Sequence, residues 1–317
     1  MSHPHDGHSM SSLFGNPFRI FIRKQSLNSS ARLNQVLKAF ETALVERLEL
    51  LKLNKPKEFI DLTWIRQAME ALCTLHGDLR SLVAELRFPI AKWDKKWIDQ
   101  YLDDTIKLLD ICIALNAEIS SLDHRHLIVQ YALHLLNFSD GMSSSDKLFR
   151  ARDHLQELIG ETKSKEKNGA SQTNRKIENC AAILNGISKS LHLRRVKSSG
   201  KGKVLLRAMY GVKATMIFIC NILVSVFAGS PGPLVDLIIP DQFLWTTSFM
   251  MLQQEVNEEI RGGFSTGRVT VLKELERLDA AVKNVNSTIQ MLSLDIPAGK
   301  EGGFQIIGGS EQAEQIR

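Results

Sequence analysis

No acidic residue occurs between Glu178 and Asp236, while Lys189, Arg194, Arg195, Lys197, Lys201, Lys203, Arg207 and Lys213 all fall inside that stretch. These eight belong to a total of 40 Lys+Arg, and the other 32 face 35 Asp+Glu. The modest net charge of +5 thus hides a basic centre on a slightly acidic body, which is the electrostatic pointer to a partner that composition offers. Proline and glycine are sparse, 8 and 20 among 317 residues, and 44% of the chain is hydrophobic and 24% charged. That balance excludes collagen-like, wholly disordered and multispanning membrane chains, and the length allows one or two domains. The four cysteines, Cys73, Cys112, Cys180 and Cys220, stand singly within apolar helical patterns, with no C-x-x-C and no dense framework. They read as small core residues in a reduced compartment.

Catalytic signatures are missing too. There is no G-x-S-x-G elbow, no P-loop and no strand followed by a Gly-rich phosphate cradle. His3, His5 and His8 lie on a terminus, where a chelating cluster lacks the supporting shell that a metal site requires. His124, His126 and His134 are two and eight residues apart, whereas a helix places residues three or four apart on one face. His76 reads as a hydrogen-bonded core histidine, and Asp103, Asp104 and Lys107 as a solvated helix face. The expectation is no catalytic residue, no cofactor, no metal site and no enzymatic activity.

What is abundant is apolar spacing of three and four, the period that makes one face of a helix stick to a neighbour. Leu33, Leu37, Phe40, Leu44, Leu48 and Leu51 form a first run, capped at Ser29 or Ser30 and ended by Pro56. Leu62, Ile65, Met69, Leu72, His76, Leu79, Val83 and Leu86 form a second, closed by Pro89. A third helix from Asp94 turns Trp97, Ile98, Leu102, Ile106, Leu109, Ile113 and Ile119 inward, a fourth covers 124–138, and a short fifth covers 146–159. Ile177, Cys180, Ala181, Leu184, Ile187 and Leu191 open the rear part. Further helices cover 242–260 and the run Leu272, Leu275, Leu278, Val282, Val285, Ile289 and Leu292. No segment alternates with period two for long. The fold expected is therefore all-α, a multi-helix bundle with long amphipathic, coiled-coil-like helices.

The layout that follows has a flexible arm over 1–28, a front bundle over 29–159 and a polar linker over 160–176. Rear helices on the same bundle occupy 177–294 and include a basic segment at 189–213 and an apolar helix at 214–228; a disordered tail covers 295–317. The arm is poor in acid and rich in Ser and Arg, a composition it shares with organelle transit peptides.

The run 214–228 is the most apolar in the chain. At ~1.5 Å per residue its fifteen residues cover about 22 Å, less than the ~30 Å hydrocarbon core of a bilayer. A buried core helix is the leading expectation, with reversible membrane contact or a single span as alternatives. Lysines and arginines immediately before such a run suit an anionic membrane surface, so Arg194, Arg195, Lys197, Lys201, Lys203, Arg207 and Lys213 form the expected membrane or partner contact. No aromatic residue interleaves with Arg194–Lys203 to stack bases, so no nucleic acid is expected.

Three long stretches, 62–86 (LTWIRQAMEALCTLHGDLRSLVAEL), 93–136 (WDKKWIDQYLDDTIKLLDICIALNAEISSLDHRHLIVQYALHLL) and 206–230 (LRAMYGVKATMIFICNILVSVFAGS), resemble the plant BYPASS family, which includes the ROH proteins. The similarity extends over most of residues 14–294. It implies a plant protein without established enzymatic activity, and together with the amphipathic helices and the missing catalytic signatures it leads to the expectation of a non-enzymatic regulatory or adaptor protein. Its implied setting is restraint of a root-derived mobile signal that arrests shoot growth, or secretion through binding of an exocyst subunit. Partners would be proteins contacted through helices, with an anionic membrane surface as a further candidate, and homo-oligomerisation is left open. The expected location is cytoplasmic with endomembrane association; plastid targeting or a single membrane pass is the alternative. An enzyme acting on a small apolar signal precursor is the remaining rival.

Overall fold

The computed structural model describes residues 17–53, 60–87, 89, 95–136, 144–167, 172–191, 199–267 and 272–294. Among them run eight helices and no strand: α1 (Pro17–Leu50), α2 (Leu62–Leu86), α3 (Lys95–Leu136), α4 (Ser144–Lys167), α5 (Gln172–Lys189), α6 (Gly200–Ala228), α7 (Thr246–Ser265) and α8 (Lys273–Leu294). The all-α bundle expected from the period is the observed architecture. The tail over 295–317 and the first sixteen residues, including His3, His5 and His8, lie outside the described residues.

Several boundaries differ from the expectation. The chain is already helical at Pro17, where a proline suits the first helical turn because its missing N–H would be unpaired anyway. The two helices expected over 94–138 are one, 42 residues and about 63 Å long at ~1.5 Å per residue. Most of the polar stretch 160–176 is also helical, since α4 continues to Lys167 and α5 starts at Gln172. Its Glu and Lys residues are good helix formers without an apolar stripe, so periodicity gives no sign of them. The apolar helix is 29 residues long rather than fifteen.

α6 is the axis of the bundle. Twenty of its residues are buried, and α1, α2, α3, α5 and α7 all pack on it. Ser199 caps its start by accepting from the Gly202 N–H at 3.3 Å, and Gly229 ends it in the left-handed conformation (φ 64°), ahead of Pro231 and Pro233. A Cβ on Gly211 would sit 3.0 Å from Leu44 Cδ2 and 3.5 Å from Trp245 Cζ2, so this glycine lets α1 and the start of α7 close on the axis. Phe243, Trp245, Phe249, Tyr210 and Phe218 make a continuous aromatic wall there, with ring centroids 5.1–6.1 Å apart. Burial raises the Tyr210 phenol to about 12. The segment between α6 and α7 is strapped down by Gln253, whose amide both accepts from the Leu237 N–H (2.8 Å) and donates to its carbonyl (3.1 Å).

A second, smaller core lies at the far end of α3. Val129 and Ala132 meet Leu148, Ala151 and Leu155 of α4 and Val282 and Ile289 of α8. Arg125 of α3 adds a 2.7 Å ion pair to Asp279 of α8. α3 is therefore the strut between the two cores.

Predicted inward residues of α1, α5 and α8 are placed as expected, with Phe40, Leu44, Leu48, Leu51, Ile177, Leu184, Ile187, Leu272, Val282 and Ile289 buried. In α2 the buried line is Trp64, Ala68, Leu72, Leu75, Leu79, Leu82 and Leu86, so Met69 and His76 face solvent. The Trp64 indole N–H, donating to the Leu51 carbonyl at 2.9 Å, sets that rotation. Among the cysteines, Cys180 and Cys220 are core residues, whereas Cys73 and Cys112 are exposed.

Candidate functional site

The largest departure from the expected packing is on α3. Leu102, Ile106, Leu109 and Ile113 point outward, with relative exposures of 53%, 61%, 57% and 61%, and Ile119 is exposed as well. The buried positions are Asp104, Leu108, Ile111 and Leu115. Both sets step by four, three and four, and they are offset by two residues, which at ~100° per residue puts them on opposite sides of the helix. Apolar spacing therefore describes two faces equally well.

An ion pair decides which face turns inward. Asp104, at 2% side-chain exposure, accepts a short charge-assisted hydrogen bond from Lys213 of α6 and another from Gln100 at 3.1 Å. Asp104 is thus an anchor between α3 and α6, not the solvated decoration expected for it. Asp103 remains outside, paired with Lys107 at 2.6 Å.

The outward stripe extends about 17 Å along α3 at ~1.5 Å per residue. Exposed acids, Asp99, Asp103 and Asp110, line one edge of it. Beyond a polar interval, Leu127 and Tyr131 return to the same side of the helix and are exposed. Scattered apolar residues on a surface need no explanation, but four in register on one helix make a contiguous patch of the kind that marks a contact site.

The expected basic contact is divided by the fold. Arg194, Arg195 and Lys197 lie outside the described residues. Lys203 is exposed and Lys201 half-buried at the first turn of α6. Arg207 turns inward, donating to Glu41 of α1 at 2.8 and 3.1 Å and to the Gln242 carbonyl at 2.8 Å, with its guanidinium 4.8 Å from the Phe243 ring centre. Glu41 is itself buried and also accepts from the Leu244 N–H at 3.0 Å. Lys213 is committed to Asp104. Two of the seven basic residues therefore serve to bind helices to one another, a role that only the folded positions of Glu41 and Asp104 disclose.

α6 has the length and apolarity to cross a membrane, yet 78% of its most apolar window is buried within the bundle. Its interior polar residues are Thr215, which donates to the Gly211 carbonyl at 2.9 Å, and Asn221 and Ser225, whose side chains make no hydrogen bond among the described residues. No group of three or more His, Cys, Asp or Glu among the described residues is placed to hold a metal ion.

Comparison with known proteins gives a consistent picture. The family model described as "Protein ROH1-like" matches residues 11–205. "Protein BPS1, chloroplastic" of Arabidopsis thaliana is 38% identical over 282 residues, covering 89% of this chain and 77% of that protein. "UPF0496 protein 4" of Oryza sativa subsp. japonica is 38% identical over 275 residues, covering 86% of this chain and 58% of the rice protein, so the chain spans somewhat over half of that relative's length. "Protein ROH1D" of Arabidopsis thaliana is 20% identical over 335 residues, covering 91% and 84%. No solved structure matches. With the family model matching more than half of its length and a relative of this identity matched over most of both chains, the chain belongs to the ROH1-like family of plant proteins.

Proposed function

We propose that this protein is a non-enzymatic adaptor that receives an amphipathic helix of a partner protein on the outer face of α3. The observation that carries the reading is the stripe Leu102, Ile106, Leu109 and Ile113, large aliphatic residues in register on a helix whose opposite face is already buried. A helix apolar on both sides is normally enclosed on both sides. The acidic edge at Asp99, Asp103 and Asp110 selects the occupant, because it repels an anionic lipid surface and attracts basic residues flanking the apolar face of a helix.

Of the two settings that the family resemblance implies, this surface suits exocyst-linked secretion, where the ligand is a protein subunit. A small mobile root signal would instead call for an enclosed pocket. The basic residues Arg194, Arg195, Lys197, Lys201 and Lys203 supply a separate electrostatic tether to an anionic endomembrane, while Arg207 and Lys213 belong to the internal framework. A plastid location is the alternative, supported by the printed name of the Arabidopsis relative.

Co-immunoprecipitation of exocyst subunits from plant cells tests the reading. Wild-type chain should recover a subunit, and the double variant Ile106→Glu/Ile113→Glu should lose at least tenfold of it while keeping its helical circular dichroism. Equal recovery by a folded double variant, or no subunit with wild type, would sink the assignment. Sedimentation with anionic liposomes tests the tether: neutralising the five basic residues should release the chain, and an unchanged membrane fraction would remove that role.

A further inference from the structure

With Ile106 and Ile113 placed at the a positions of a heptad and Leu102 and Leu109 at the d positions, α3 separates into two sides. The buried residues Asp104, Leu108, Ile111, Leu115, Val129 and Ala132 all fall at c or f. Every a, d and e position between Asp99 and Tyr131 is exposed. The bundle thus holds α3 by one side and leaves open the side that a second helix grips in a coiled coil.

We propose that the occupant of this side is one helix of another protein, running parallel to α3 as the second strand of a two-stranded coiled coil and carrying Lys or Arg at its g positions. The proposal deepens the adaptor reading and rests on it. Isoleucine at a with leucine at d favours two strands over three or four in parallel coiled coils. That segregation is useful when like positions meet, as in a parallel pair, where a faces a and d faces d. Antiparallel layers mix the two. Asp99 at the preceding a position and Asn116 at the following d position bound the apolar seam, so the partner's own apolar positions match it level by level.

Charge sets this partner apart from a second copy of the chain. The e positions beside the seam carry Asp103 and Asp110, both exposed, while the g positions carry the uncharged Thr105 and Cys112. In a parallel pair each e side chain meets a g side chain of the preceding heptad in the other strand. Asp103 and Asp110 of one copy would then meet Ile98 and Thr105 of the next, with no ion pair, and in an antiparallel pair the acids would meet acids. Lys or Arg at g supplies the missing charges. Lys107, at b, holds Asp103 at 2.6 Å, but both members of that pair are exposed and such a pair is weak enough to be shared.

The test uses the full chain and three synthetic three-heptad peptides with Ile at a and Leu at d, each carrying a fluorophore and read by anisotropy. One has Lys at g and Gln at e, the second Lys at e and Gln at g, the third Glu at g and Gln at e. The first should bind about three- to fivefold tighter than the second and over about tenfold tighter than the third, since each exposed ion pair changes affinity by about a factor of two. Salt at ~1 M should erase these differences. In the surface variant Asp103→Lys/Asp110→Lys the Glu-at-g peptide should become the tightest. No binding of the first peptide, equal or tighter binding of the second, or an order that the surface variant leaves unchanged would overturn the proposal while the α3 docking face stands. Binding that Ile106→Glu/Ile113→Glu leaves intact would remove the docking face and this proposal with it.

Discussion

α6 and α3 are the two most instructive helices to set side by side, because both carry more apolar surface than one face can use. α6 satisfies all of it within the chain: five other helices pack on it and twenty of its residues are buried. α3 satisfies half, burying Leu108, Ile111 and Leu115 while Leu102, Ile106, Leu109 and Ile113 stay in solvent. Hydropathy alone would rank α6 above α3 as an exposed apolar element, whereas the packing buries α6 and leaves the α3 stripe open. A helix is available to a partner when its apolar face is uncovered, not when it is most apolar.

This contrast can be broken or sharpened by mutation. The largest effect belongs to the α6 side. Lys213→Met leaves Asp104 charged and buried without its partner, which costs about 3–5 kcal/mol in urea denaturation. The double variant Lys213→Met/Asp104→Leu should recover most of that loss, and a single variant within ~1 kcal/mol of wild type would show that the pair does not anchor α3. Ile217→Ala, at a fully buried site of α6, should cost about 2–5 kcal/mol by the same measurement.

A smaller effect of opposite sign is expected at Asn221. Its amide is buried without a hydrogen bond among the described residues, so Asn221→Leu should leave the melting temperature unchanged or raise it, with a gain of about 1 kcal/mol. A loss larger than that would mean the amide is bonded in solution. The smallest effect belongs to the open face: Ile106→Ala should shift the stability of the isolated chain by no more than ~0.5 kcal/mol, as surface substitutions do. A cost like that of Ile217→Ala would mean that this chain covers the stripe itself.

The same contrast explains what the sequence made legible. In α1, α5 and α8 one apolar stripe faces one polar side, so Leu44, Leu184 and Ile289 could be placed in the core from spacing alone. α3 offered two stripes with identical steps, and the tie is broken by Asp104 meeting Lys213, a contact across 109 positions that no local pattern contains. The inward turn of Arg207 was hidden for the same reason, since its partner Glu41 is 166 positions away. Family resemblance was legible in long ordered stretches, and the family model and the Arabidopsis relative agree with it.

The central claim is that the outer face of α3 is covered by another protein while α6 is covered by its own chain. A photo-activatable crosslinker placed at Ile106, and separately at Ile217, in plant cells measures this most directly. The account predicts that the Ile106 probe attaches to a helical peptide of an exocyst subunit and that the Ile217 probe yields adducts within the chain. Attachment of the Ile106 probe to lipid, to this chain itself or to a second copy of it would contradict the account.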